Sequence, residues 1–213
     1  LQKAINSEDN DLIYLTLIHL ERSRSDTEAF YRLVHSHAEA ANLLKMYYKS
    51  KVTPNDRSFL HNLLIYGKNY LEAGFAAIAQ ANLQTEVVNK IQHYKEAVNL
   101  FGQSRDLTFQ KSVTEDQIDL MEFQKSFEIR LQRDFVNLSL SETIHNLVLL
   151  TIETPSDASR WEQEIAKLVK RFKVSDKMLW HIRIQCYCKT NQWRLLERFA
   201  NEKKSPIGYK PFV

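Results

Sequence analysis

The chain has 213 residues, 44% of them apolar, and its 29 Lys and Arg against 26 Asp and Glu leave a net charge of +3. That is enough apolar material for a sizeable core, which excludes a disordered chain, and a charge so balanced singles out neither nucleic acid nor a membrane surface as partner. Four glycines and four prolines, where average usage would supply about twenty-five, leave too few tight turns for many short strands, so the expected class is all-α.

The opening stretch, LQKAINSEDND, carries no leader pattern, and helices are expected over about 2–7, 12–22, 27–35 and 38–50. Thr53-Pro54-Asn55-Asp56 places a hydroxyl cap before a proline at the first helical position, with an acid in the first turn, and so opens a helix over 54–66. A helix over 70–80 follows, and then one over 85–103, where Val87, Ile91, Tyr94, Val98 and Phe101 step by four and three. Thr114-Glu115-Asp116 and Ser141-Glu142 are looser starts, for helices over 115–136 and 142–153. Thr154-Pro155-Ser156-Asp157 repeats the stronger signal and opens 155–173, with Trp161, Ile165, Leu168, Val169 and Phe172 as its apolar stripe.

Ser175-Asp176 starts a helix over 176–190 that is apolar round most of its circumference, with Leu179, Ile182 and Cys186 on one face and Trp180, Ile184 and Tyr187 on another. Such a helix belongs between two layers. A turn at Asn191 leads to a helix over 192–202 with Trp193, Leu196, Phe199 and Ala200 expected inward. In the closing KKSPIGYKPFV, Pro206, Gly208 and Pro211 punctuate the passage to a further unit that Phe212 and Val213 would begin, so the chain reads as a fragment of a longer one. The expected architecture is an irregular α-solenoid of stacked antiparallel helix pairs, about ten to twelve helices in one domain over 1–213. No fixed repeat period is visible, and no apolar run approaches the roughly 20 residues a membrane span needs.

Chemistry is hard to find. No phosphate-cradling glycine loop, zinc-protease helix or nucleophile elbow occurs. Cys186 and Cys188 are neither a disulfide framework nor a metal set, and are read as reduced, partly buried thiols of an intracellular protein. His35 and His37 suit no zinc spacing, and Glu115 with Asp116 is better explained by first-turn charge than by a catalytic dyad. No cofactor, metal or catalytic residue is therefore expected. Basic residues gather in Lys167, Lys170, Arg171, Lys173 and Lys177, and again in Arg194, Arg198, Lys203 and Lys204. They read as solvated faces with interleaved acids, or as a groove for RNA or an acidic partner. The alternatives to a protein scaffold are a helical-repeat binder of nucleic acid or of peptides in general, and a hydrolase with a hidden cleft.

The strings DKMLW and WRLLERFANEKKSPIGYKPFV closely resemble the C-terminal domain of the vacuolar protein sorting-associated protein 16 family, and LQKAINSEDNDLIYLTLIHL, TEDQIDLMEFQ and LSLSETI are also similar to its segments. The resemblance spans the chain and is weakest over 24–82. It implies the α-solenoid of a scaffold subunit shared by the HOPS and CORVET tethers, peripheral on late endosome, lysosome or vacuole from the cytoplasm, touching membrane only indirectly and binding no nucleic acid. It implies as partners the Sec/Munc-family SNARE-regulating subunit, vacuolar protein sorting-associated protein 33, and the other tether subunits. Residues 1–82 would be N-terminal helices, 85–191 the partner-binding helices, and 192–213 the last helix and the start of the next unit. The partner-binding positions carried over are Val113 with Glu115 and Asp116, and Lys177 with Met178. The family has a small residue in place of Val113 and an arginine in place of Met178, so either the partner has changed in step or Arg183 one turn on supplies the charge. Phe127, Arg130, Trp180 and Arg183 are the candidate anchors, with core packing the competing reading for Phe127 and Trp180.

Overall fold

The computed structural model describes residues 1–23, 26–51, 53–202, 206 and 208. Among them are twelve α-helices, two 3₁₀ turns and no strand, so the all-α reading holds. No helix among the described residues is long and apolar enough to cross a membrane. The chain forms two compact units, Leu1–Ile118 and Asp119–Val213.

The first unit contains α1 (Gln2–Ile5), α2 (Asn10–Ser23), α3 (Thr27–His35), α4 (Ala38–Lys49), α5 (Pro54–Tyr66), α6 (Tyr70–Leu83) and α7 (Val87–Phe101). Each packs chiefly on its neighbour or next-but-one neighbour in sequence, as in a solenoid. One core joins Ile13 and Leu17 of α2 to Phe30 and Val34 of α3, Leu44 of α4 and Leu63 of α5. A second lies between α6 and α7, and its closeness has a specific cause. Ala73, Gly74, Ala77 and Ala81 form the buried face of α6, and a Cβ on Gly74 would come within 2.2 Å of the Phe101 ring. Only a residue without a side chain lets that ring lie flat on the helix.

Helix starts follow the expected chemistry where a small polar side chain is free to turn back. Asp26 accepts from the Glu28 and Ala29 amides, Thr53 from that of Asp56, with Pro54 in the first turn, and Ser175 from that of Met178. Three starts differ. Thr114-Glu115-Asp116 does not begin a helix over 115–136 but lies inside α8 (Thr108–Leu131), which follows a 3₁₀ turn at Arg105–Leu107. The Thr114 hydroxyl donates to the Gln110 carbonyl one turn back, at 2.7 Å, and so caps nothing. The next helix, α9 (Leu140–Glu153), is capped by Ser139 rather than Ser141, in a reciprocal box with Glu142. Pro155 opens a 3₁₀ turn, Pro155–Asp157, and α10 starts only at Ala158 (Ala158–Phe172). Its expected cap, the Thr154 hydroxyl, is occupied: it donates to the Leu150 carbonyl at 2.7 Å and accepts from the Trp161 indole at 3.1 Å.

The second unit is built from the end of α8 with α9, α10, α11 (Asp176–Lys189) and α12 (Trp193–Glu202). Its core gathers Phe127, Phe135, Leu147, Trp161, Ile165 and Leu168. The helix apolar on two faces sits between two layers as expected. Ile182 and Cys186 of α11 enter the main core, while Ile184 and Tyr187 join Leu196 of α12 in a satellite cluster. Trp193, expected inward on α12, is instead 58% exposed, because Leu196 and Phe199 already fill the α11 contact. Asn191 takes the left-handed conformation that the α11–α12 turn requires (φ 56°). The expectation of a loop and a new helix over 203–213 falls outside the described residues, apart from Pro206 and Gly208.

Candidate docking face of the second unit

The nine residues singled out for partner binding fall into two groups. Val113, Glu115 and Asp116 lie on the part of α8 that belongs to the first unit. Val113 is 51% exposed, Glu115 is exposed beside Lys111 at 3.9 Å, and Asp116 is half-buried. The other six belong to the second unit, and their surroundings divide anchors of the fold from groups at the surface.

Phe127 is wholly buried against Phe135, ring centres 5.5 Å apart. Trp180 is buried too, tilted against Phe199 at 4.3 Å. For both, the core reading is the observed one. Met178 is half-buried and packs against the main core. Arg130 is held within the unit: its Nη1 lies 3.4 Å from Glu164 and its guanidinium rides 5.0 Å above the Phe127 ring. Arg183, half-buried on α11, is bidentate to Glu162 of α10, with Nη1 donating to Oε1 at 2.9 Å and Nη2 to Oε2 at 2.5 Å. It also lies 5.7 Å over the Phe199 ring. The charge expected to stand in for the missing arginine is thus already engaged inside the unit. Of the six, Lys177 alone is exposed with no ion pair among the described residues.

Beside α11 runs an open groove of about 690 Å³. Leu179, Trp180 and Phe199 supply apolar lining, and Glu162, Asp176 and Arg183 polar lining. Sequence reasoning pointed to Trp180 and Arg183 but not to the groove, because α10 and α12 meet α11 only in the folded unit. It also missed a buried clamp. Gln124 of α8 donates to the Leu138 carbonyl at 2.7 Å and to the Thr143 hydroxyl at 2.8 Å. The Glu128 carboxylate accepts from the Phe135 and Val136 amides at 2.8 and 2.6 Å. Together they fix the loop between α8 and α9. The capping box at its end could have been found, since Ser139-Leu140-Ser141-Glu142 is the S-x-x-E pattern.

Burial pushes the Cys186 thiol up to about 11, which leaves it protonated and a poor nucleophile. Among the described residues no three His, Cys, Asp or Glu side chains gather so as to hold a metal ion. His35 is hydrogen-bonded to the Leu63 carbonyl at 2.8 Å, and His61 reaches Glu96 at 2.9 Å. What the second unit presents is a rigid helical face with a charged rim.

The family described as Vps16, C-terminal region matches residues 1–213, the whole chain. The chain belongs to the Vps16 C-terminal region family. It is 34% identical over 218 residues to the vacuolar protein sorting-associated protein 16 homolog of Dictyostelium discoideum, covering 100% of this chain and 25% of that protein. With the homolog of Drosophila melanogaster it shares 28% over 212 residues, 99% of this chain and 23% of the other. With Protein VACUOLELESS1 of Arabidopsis thaliana it shares 26% over 224 residues, 100% of this chain and 24% of the other. The chain spans about a quarter of the length of the curated relatives it matches. Within this Vps16 region, the DKMLW string opens α11 with the exposed Lys177 and the buried Trp180, and WRLLERFANE is α12.

Proposed function

We propose that this chain is the helical scaffold region of a vacuolar sorting tether subunit of the HOPS and CORVET type. In this reading it holds the Sec/Munc-family SNARE-regulating subunit, vacuolar protein sorting-associated protein 33, and brings it to fusion sites on late endosome, lysosome or vacuole, from the cytoplasmic side and without crossing the membrane. The observation that carries the reading is the family match over the whole chain. The structure is in keeping with it: stacked helices around closed apolar cores, with an open groove of mixed polar and apolar lining beside α11, suit a binder. Val113 and Lys177 are the contact residues in this reading, and Phe127, Trp180 and Arg183 act by fixing the helices that carry the contacts.

Co-expression with that partner and size-exclusion chromatography at micromolar concentration tests it. The expected result is co-migration. Val113→Glu, an exposed change, is expected to weaken binding at least tenfold with an unchanged melting temperature. Separate elution of the two wild-type proteins would sink the proposal.

A further inference from the structure

The exposed residues of α11 are Asp176, Lys177, His181, Gln185 and Lys189. Asp176 lines the groove beside Trp180. The other four recur at every fourth position, so they form one gently winding stripe, about 18 Å long at 1.5 Å per residue. The stripe carries no acid. At its start the α10–α11 turn adds the exposed Lys173, in the left-handed cap position (φ 50°), and the last turn of α10 carries the exposed Lys170.

Elsewhere in the unit, five basic side chains are matched: Arg130 and Lys167 with Glu164, Arg133 with Glu153, Arg171 with Asp119, Arg183 with Glu162. Lys170, Lys173, Lys177 and Lys189 have no ion pair among the described residues. Lys177 and Lys189 on the stripe and Lys173 just before it, with Asp176 turned to the groove and the acids of α10 bound to other groups, make a narrow positive strip along α11.

We propose that this stripe docks an acidic helix of a protein partner, one with Asp or Glu at successive turns. The inference rests on the scaffold reading above and names the chemistry of the surface it takes. A helix with carboxylates every 5.4 Å laid along α11 meets a cation or a hydrogen-bond donor at each turn, with charge complementarity fixing its register. The shape argues against the other anionic partners. A membrane surface is met by a broad basic face with apolar side chains that enter the bilayer, and among the described residues the exposed large apolar side chains of this unit, Ile129, Trp193 and Leu195, lie on neither α10 nor α11. Nucleic acid is met by a wider positive surface with several aromatic rings for stacking, and no Phe, Tyr or Trp stands on the stripe.

The test is lysine footprinting with an amine-acylating reagent. The isolated chain is compared with the assembly purified from cells through the tagged full-length protein, and zero-length carbodiimide cross-linking is run on the same assembly. Lys173, Lys177 and Lys189 are expected to lose at least fivefold in acylation rate in the assembly, while Lys49 of α4 does not. Carbodiimide is expected to join them to Asp or Glu residues three or four apart on one partner segment. Lys173→Glu/Lys177→Glu/Lys189→Glu is expected to weaken that partner's retention at least tenfold without moving the melting temperature, since all three side chains are exposed. Unchanged lysine reactivity in the assembly overturns the proposal, as does protection that nuclease removes or that needs anionic vesicles. If the SNARE-regulating subunit is retained while the stripe lysines stay reactive, the stripe proposal fails and the scaffold reading stands. Protection by another acidic protein, with that subunit absent, supports the stripe and counts against the scaffold reading.

Discussion

Arg183 shows a charged side chain engaged inside its own unit rather than free at the surface. Its side chain is 15% exposed and grips a Glu162 that is 40% exposed, so the pair is screened on one side only. Arg183→Met, which keeps most of the volume and leaves Glu162 in water, is expected to cost about 1–2 kcal/mol in urea denaturation. Arg183→Glu should cost more, by placing two carboxylates together, and adding Glu162→Arg should recover part of the loss. Glu72 is the corresponding group of the first unit, with Lys49 2.8 Å and Lys45 3.3 Å away. Hydrogen bonding from Lys49, and then from Lys45, holds its carboxyl below the usual range against the opposing effect of partial burial. A lowered folded value stabilises above the unfolded carboxylate value of about 4.3 and is lost as pH falls through the folded one. Glu72→Gln is therefore expected to cost about 0.5–1 kcal/mol near pH 7, and the gap from wild type to close as the pH drops below about 4. Neither partner could be read from the sequence: Arg183 and Glu162 are 21 positions apart with a turn between, and Lys45 and Glu72 are 27 apart with the whole of α5 between.

At the scale of the helix, the quality of the local signal decides what is legible. The double apolar face of α11 survives folding because burial on two sides is what that composition needs. Thr53 and Ser175 cap as expected because each is the last residue before its helix, with no carbonyl a turn back taking its hydroxyl. Thr114 and Thr154 carry the same side chain but spend it on carbonyls a turn back, a choice that depends on the helix already running there. Ser139→Ala removes the box that starts α9 and is expected to cost about 1 kcal/mol, read as a shift in the urea midpoint, whereas Ser141→Ala should have little effect. Gly74→Ala tests the α6–α7 contact. The added methyl meets the Phe101 ring, so a loss of about 1–3 kcal/mol is expected despite the better helix propensity.

Over the whole molecule, stability is divided between two units with their own cores, Leu44 and Leu63 in one and Leu147 and Leu168 in the other. Trp161, Trp180 and Trp193 all belong to the second, so tryptophan fluorescence reports on it alone. Leu147→Ala, at a fully buried position, is expected to lower the stability read by tryptophan emission by about 2–5 kcal/mol. A loss below about 1 kcal/mol would mean that the core is looser than its closed packing indicates. The basic stripe of α11 is likewise a property of the unit rather than of its residues. The cluster at Lys170, Lys173 and Lys177 is visible in the sequence, but the sequence cannot show that Arg171, in the same run, is already paired with Asp119, 52 positions away.

By itself the sequence determined that the chain is helical, roughly where each helix lies, that α11 is buried on two sides, and which family it resembles. All of these rest on residues near one another in the chain, where hydrogen-bonding and apolar periodicity act over one or two turns. Only the tertiary structure decided that Trp180 and Phe127 belong to the core, that Arg183 is held by Glu162, that Trp193 faces water, and which lysines remain unmatched. Those outcomes depend on which side chains from distant segments arrive at the same place, and burial and ion pairing are set by that meeting.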